Sequence, residues 1–332
     1  MIWSISDNSH YRGSQQMNLD AGVPDLQSIA RDKPTMFSSQ VREFIALSYA
    51  DNTRRAYSGD LRKFVNWGGG LPCRPEILAS YIAAHAATHK PTTLCRWASS
   101  ISRAHIAAGY SDPTKVEPVV STLKGICRTL SSKANQAHPL LREDLFAALN
   151  EMGDSVRDRR DRAILLIGFA GGFRRSELVA LDFEDLQSAK RGLLIAIRRS
   201  KTDQLGRGRQ IAIPFGRTRH CPVGALEDWL KLISETTGPI FRAINRYGHI
   251  ARSRLSAETV SVIVKERVAA IGHDPSNFSG HSLRAGFATS AAEAGVSSWK
   301  IRQQTGHASD AMLARYIRSV ELFEGNASGA II

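Results

Sequence analysis

No stretch of the chain approaches the roughly 18 consecutive apolar residues that a membrane-crossing helix requires, so no transmembrane span is expected. The amino-terminal residues lack the basic start and apolar core of a signal peptide, an absence that points to the cytoplasm. Cysteine is scarce. Cys73, Cys95, Cys127 and Cys221 are scattered without Cys-x-x-Cys spacing, which argues against a disulfide framework or a zinc site and for buried free thiols. No P-loop and no cluster of carboxylates is visible to call for ATP or a metal cofactor. Acidic residues are also in deficit, 31 Asp and Glu against 44 Lys and Arg, giving a formal charge of +13. That balance favours a polyanionic partner. The basic residues are spread along the chain rather than gathered in a tail, so any basic surface must be assembled by folding.

What is present suits a globular protein. Hydrophobic residues make up 42% and charged residues 23% of 332 positions, enough for two ordinary domains with a core in each. Residues 1–35 are polar and aperiodic and read as a disordered leader. Residues 36–132 read as helical throughout. Val41, Phe44, Ile45 and Leu47 mark a first apolar stripe, and Asn52 or Thr53 can cap a second helix carrying Tyr57, Leu61, Phe64, Val65 and Trp67. Gly68-Gly69-Gly70 stops it, and Pro75 and Pro91 suit the first turns of the next two helices. Those carry Ile77, Leu78, Tyr81 and Ile82, then Leu94, Trp97, Ile101 and Ile106; a last helix holds Val119, Val120, Leu123, Ile126 and Leu130. Arg96, Arg103, Lys124 and Arg128 lie on these helices and are candidate phosphate contacts, which hold register on a duplex without reading its sequence.

Residues 133–139 are polar and patternless, a linker. Residues 140–319 begin with helices over 140–153 and 156–169. The period then changes: Leu193, Ile195 and Ile197 alternate with Leu194, Ala196 and Arg198, and Ile211 and Ile213 share a face over 209–214, which predicts two strands joined by the hairpin connection 199–208. Helices resume over 222–233, 259–271, 297–304 and 310–318. The fold class is mainly α with a small antiparallel β element.

The chemistry concentrates in Gly280-His281-Ser282-Leu283-Arg284-Ala285-Gly286-Phe287-Ala288-Thr289. On a helix, His281 and Arg284 project from one face. A guanidinium matches phosphate oxygens, and an imidazole beside it titrates near neutrality, a pairing suited to an anionic substrate that exchanges a proton. Upstream stands Gly172-Phe173-Arg174-Arg175-Ser176-Glu177-Leu178; downstream stand Thr305-Gly306-His307 and Tyr316-Ile317-Arg318.

In order and spacing these boxes resemble the tyrosine site-specific recombinases, the phage-integrase family, with a Cre-like flavour in Tyr316-Ile317-Arg318. Arg175 departs from the usual apolar residue after the first arginine, and Ile317 from the usual small polar residue after the tyrosine. The resemblance implies a helical core-binding (SAM-like) DNA-binding domain followed by an α+β catalytic domain. It implies Arg174, Lys201, His281, Arg284, His307 and Tyr316 as catalytic groups, with Glu177 in support. It places a helix near Thr259 to Ile271 in the major groove, making Lys265 and Arg267 candidate readers, with Arg199 a further DNA contact. The partners implied are double-stranded DNA carrying inverted-repeat recombination sites and further copies of the chain, a homotetramer on two sites, with the tail 320–332 docking between protomers. A type IB-like topoisomerase, a telomere resolvase and a DNA-binding protein that no longer cuts are the alternatives. The full set of catalytic residues argues against the last, and the small two-domain layout against the first two.

Overall fold

The computed structural model describes residues 51–130, 137–198, 208–307, 309–311, 313, 314 and 316, with Gln40 and Phe44 ahead of them. The leader, the first part of the linker, Arg199, Lys201 and the tail lie outside the described residues. The chain divides into two compact units, Met1–Ala134 and Asn135–Ile332.

In the first unit the described helices are α1 (Asp51–Asn66), α2 (Pro75–Ala84), α3 (Pro91–Ala107) and α4 (Glu117–Leu130). Pro75 and Pro91 each sit in a first turn, where the missing N–H has no intrahelical partner to lose. Along α3, Leu94, Trp97, Ala98, Ile101 and Ala104 recur at helical spacing and are buried against Leu61, Phe64, Leu78, Tyr81, Ile82, Val119 and Ile126. Burying a Leu or Ile of this set contributes about 1.5–3 kcal/mol. Tyr81 stacks on Trp97 with ring centroids 5.3 Å apart. Several expectations fail here. Asn52 and Thr53 lie inside α1, which reaches back to Asp51, so neither caps it. Ile77, Ile106, Val120 and Leu130 are exposed, because each falls off the buried face of its helix. Phe44 is helical but 69% exposed.

The second unit is built around α6 (Val156–Ala170), in which Ile164, Leu165, Leu166 and Ile167 are buried in succession, the pattern of a helix surrounded by protein. It packs on α8 (Pro222–Leu230) and α10 (Ser282–Glu293). The other described helices are α5 (Arg142–Asn150), α7 (Arg175–Val179), α9 (Ala257–Ala270) and α11 (Ser298–Thr305). Asp310, Ala311, Leu313, Ala314 and Tyr316 are also helical. Strands β1 (Leu186–Ala189), β2 (Gly192–Ile197) and β3 (Arg209–Pro214) form an antiparallel sheet in that order. Leu193 pairs with Ile213 and Ile195 with Ile211, all four buried, so the alternation read from the sequence is the alternation of the core face.

Sequence pattern did not find β1, whose four residues hold a single partly buried side chain and take their conformation from pairing with β2. It also missed the hairpin of β4 (Arg242–Ile244) and β5 (Ile250–Arg254), because its two short strands carry arginines beside the apolar pair Ile244 and Ile250 that packs on the core. Arg242 pairs with Glu235 at 2.7 Å, and Arg254 donates to the Val179 carbonyl at 2.7 Å. The His138 amide donates to the Asn277 carbonyl and the Leu140 amide to the Ser282 carbonyl, which ties both residues to the second unit. Gly286 is required where α10 crosses this segment, since a Cβ there would lie 1.7 Å from the Leu140 carbonyl oxygen. All four cysteines are free, and they are half-buried rather than buried.

Candidate active site

Arg174 stands at the N-terminal end of α7 in extended backbone, so its side chain leaves the helix start rather than its flank. Its amide donates to Glu177 Oε2 at 3.1 Å, and its Nη1 donates to Glu177 Oε1 at 2.5 Å. Glu177, 2% exposed, therefore holds both the backbone and the guanidinium of Arg174. Arg174 Nη2 reaches the Gly306 carbonyl at 3.3 Å, across 132 residues of sequence. Glu177 Oε2 also accepts from Arg209 Nη2 at 3.2 Å.

Arg284 lies in the first turn of α10 and is 1% exposed. Its Nη1 donates to the Gly172 carbonyl at 2.8 Å and to the Thr305 carbonyl. Its Nη2 is buried and has no hydrogen-bond partner among the described residues. A buried cationic donor without an acceptor is costly. Burial, and then the charge of Arg174, push the Arg284 pKa down to about 10, a site primed for an anion.

His281 occupies the position before α10, with helical backbone angles. Its Nε2 lies 2.5 Å from the Tyr316 hydroxyl. Crowding by its neighbours, followed by the charges of Arg284 and Arg174, lowers the His281 pKa, so the ring is neutral near pH 7 and can accept a proton. Tyr316 is held by Thr289, whose hydroxyl donates to its carbonyl at 3.2 Å, and packs beside Leu313, Ala288 and Ile301. His307 is buried, with its ring 5.6 Å from that of Tyr316, and its Nδ1 lies 2.7 Å from Thr305 Oγ1. Burial and then Arg284 and Arg174 push its pKa down to about 3.

Five of the six expected catalytic residues are therefore described, and Arg174, His281, Arg284, His307 and Tyr316 converge from four separate segments. Lys201 lies outside the described residues. Two residues without an assigned role belong to the same constellation. One is Thr305, through its contact with His307. The other is Arg209, and a signal for it existed: it shares strand parity with buried Ile211 and Ile213, so an arginine points toward a core face. Gly306 connects the two, because its left-handed backbone (φ +67°) favours glycine and a Cβ would meet the Arg209 guanidinium at 2.5 Å.

The candidate DNA contacts divide. Arg103, Lys124, Arg128 and Lys265 are exposed. Arg96 remains largely exposed but donates to buried Asp60 at 2.8 Å. Arg267 is only 18% exposed and pairs with Asp158 and Asp161, each at 2.8 Å; that geometry suits fastening α9 to α6 rather than reading bases. Arg175 uses its unusual charge to reach Ser261 of α9 at 3.3 Å. Among the described residues no three His, Cys, Asp or Glu side chains gather at a spacing that could hold a metal ion, and no helix is long and apolar enough to cross a membrane.

The phage integrase family matches residues 140–321. An integrase/recombinase XerD homolog of Selenomonas ruminantium is 39% identical over 300 residues, covering 87% of this chain and 88% of that protein. Tyrosine recombinase XerC of Mycobacterium bovis is 30% identical over 295 residues, 82% of this chain and 91% of that one. Among solved structures, XerH recombinase bound to palindromic difH substrate in a post-cleavage complex has a TM-score of 0.63 at 18% identity, over 88% of this chain and 83% of that chain. A lambda integrase dimer bound to a COC' core site has a TM-score of 0.59 at 19% identity, over 84% and 75%. At these identities the solved structures speak to fold alone. The resemblance to Cre rests on the tripeptide Tyr316-Ile317-Arg318.

Proposed function

The chain belongs to the phage integrase family of tyrosine recombinases, and on that premise we propose that it cuts and rejoins duplex DNA at specific sites by transesterification through Tyr316. The observation that carries the reading is the 2.5 Å contact between the Tyr316 hydroxyl and His281 Nε2, beside the buried guanidinium of Arg284 and the half-buried one of Arg174. His281 accepts the phenolic proton as the Tyr316 oxygen attacks the scissile phosphate. The bond formed is a 3′-phosphotyrosine ester, and the bond broken is that to the 5′-oxygen, which Lys201 protonates as it leaves. Arg174 and Arg284 neutralise the non-bridging oxygens, and Arg284 Nη2, which has no partner among the described residues, is a donor in reserve for this. His307 adds a hydrogen bond. Rejoining reverses these steps with the 5′-hydroxyl of a partner strand, and the ester energy is conserved in the covalent link, so no nucleotide is consumed.

Pairwise exchange through a Holliday junction, by a homotetramer on two inverted-repeat sites, follows from the family reading. The helical first unit serves as the core-binding domain and 140–319 as the catalytic domain. The tail 320–332 links protomers, so a chain ending at Arg318 is expected to bind single sites and lose synapsis.

A nicked suicide duplex, carrying the site this protein selects from randomised DNA, tests the nucleophile. Wild type should yield a detergent-resistant protein–DNA adduct, and Tyr316→Phe should bind equally well and yield none. Equal adduct from both proteins would remove Tyr316 from the chemistry.

A further inference from the structure

Arg209 has no part in the steps above, yet it is built into their centre. It is the first residue of β3, 21% exposed, and each end of its guanidinium is engaged in the site. Nη2 donates to Glu177 Oε2 at 3.2 Å, and Nη1 donates to the Gln304 carbonyl at 2.8 Å in the last turn of α11. Gly306 lies directly against it. We propose that Arg209 is a positioning residue for strand cleavage, holding Glu177 and the 304–306 segment in place and offsetting the Glu177 charge so that Arg174 meets the scissile phosphate uncompensated. The inference rests on the reading of Arg174 and Arg284 as the phosphate clamp.

The charge count explains why a third arginine is useful. Glu177 is needed to aim Arg174, but a carboxylate 2.5 Å from a guanidinium also cancels its charge. Arg174, Arg209 and Arg284 against Glu177 leave three positive charges minus one negative, or +2, which matches a phosphodiester that becomes dianionic in the transition state. Without Arg209 the same pocket holds +1.

The geometric role is equally direct. Arg209 covers the carbonyl end of α11, where a cation also opposes the helix dipole. Arg174 grips the next turn through the Gly306 carbonyl. The two arginines thus determine together where His307, the following residue, is placed. A plain strand-end prop would not need a guanidinium in this position, since Arg209 is desolvated, is repelled by Arg174, and has a buried Nε with no partner among the described residues. An arrangement strained without an anion and relieved by one belongs to a phosphate site.

The test compares two scissile groups in the selected nicked duplex: the ordinary phosphate, and a methylphosphonate in which a methyl group replaces one charged oxygen. Arg209→Met should lower single-turnover adduct formation on the ordinary phosphate about 100-fold, with DNA affinity within about twofold of wild type. On the methylphosphonate the deficit should shrink at least about tenfold, because less charge awaits compensation. Arg209→Lys, which keeps the charge, should recover most of the rate. Arg209→Gln replaces the Met variant if thermal melting shows that variant unfolded. A deficit of equal size on both substrates, or no deficit on the ordinary one, overturns the proposal. Wild type with Tyr316→Phe as control reports separately on the underlying reading: if wild type forms no adduct, that reading fails and takes this inference with it.

Discussion

Thr305 Oγ1 lies 2.7 Å from His307 Nδ1 and 2.7 Å from the Ile301 carbonyl oxygen, so one hydroxyl proton faces two acceptors. Given to Ile301, it requires His307 to carry its proton on Nδ1, leaving Nε2 an acceptor until the ring is protonated. Given to Nδ1, it leaves the proton on Nε2, which can then donate to a phosphate oxygen. Thr305→Val keeps the shape and removes the choice. We expect about a tenfold loss of cleavage, a stability loss of about 1 kcal/mol, and a change in the His307 ring nitrogen shifts by 15N NMR. Unchanged shifts with an unchanged rate would show that Thr305 does not govern the tautomer.

The acid side of the cleavage profile should lie lower than an ordinary histidine would place it. The His281 pKa is lowered from 6.5, so the neutral base is fully present at pH 7 and is lost only as pH falls below that value. Adduct formation measured from pH 5 to 8 should be flat near neutrality and decline in acid. A decline already under way above pH 7 would contradict the assignment of His281 as base.

His307 links the same region to stability. Its folded pKa, pushed down to about 3, lies below the unfolded value of 6.5, so between those values the unfolded chain binds the extra proton and stability falls as pH falls. Between pH 6.5 and roughly 4.5, above the range where carboxylates dominate, His307→Gln should melt with a shallower pH dependence than wild type. Parallel melting curves would mean that His307 is protonated in the folded protein.

Gly306→Ala should be harmful on two counts. The left-handed backbone costs a side-chain-bearing residue roughly 1–2 kcal/mol, and the new Cβ would displace the Arg209 guanidinium. Cleavage should therefore fall further than the melting temperature suggests, because Arg174 and His307 both depend on this segment. A variant that melts lower but cleaves at the wild-type rate would show that the segment tolerates movement.

Lys201→Ala should be rescued by a substrate with sulfur in place of the leaving 5′-oxygen, since a thiolate departs without a proton. If this variant cleaves the sulfur and oxygen substrates equally slowly, another group is the general acid.

The sequence by itself determined the helical first unit, because apolar side chains at helical spacing, as in Leu94, Trp97 and Ile101, can be buried together in only one local conformation. It determined β2 and β3 by alternation, and picked out by the order of their boxes five candidate catalytic residues that the fold brings together. Each of those signals is local or is carried by residue type. What joins Arg174 to Gly306, Arg284 to Gly172, or Arg209 to Glu177 is a contact spanning 132, 112 or 32 residues, and no local pattern records such pairings. The tertiary structure alone decided that Arg267 is spent on Asp158 and Asp161, that Ile106 and Val120 face outward, and that Arg209 pairs with Glu177 beside Arg174. A charged side chain takes its role from whichever opposite charge the packed core brings within reach.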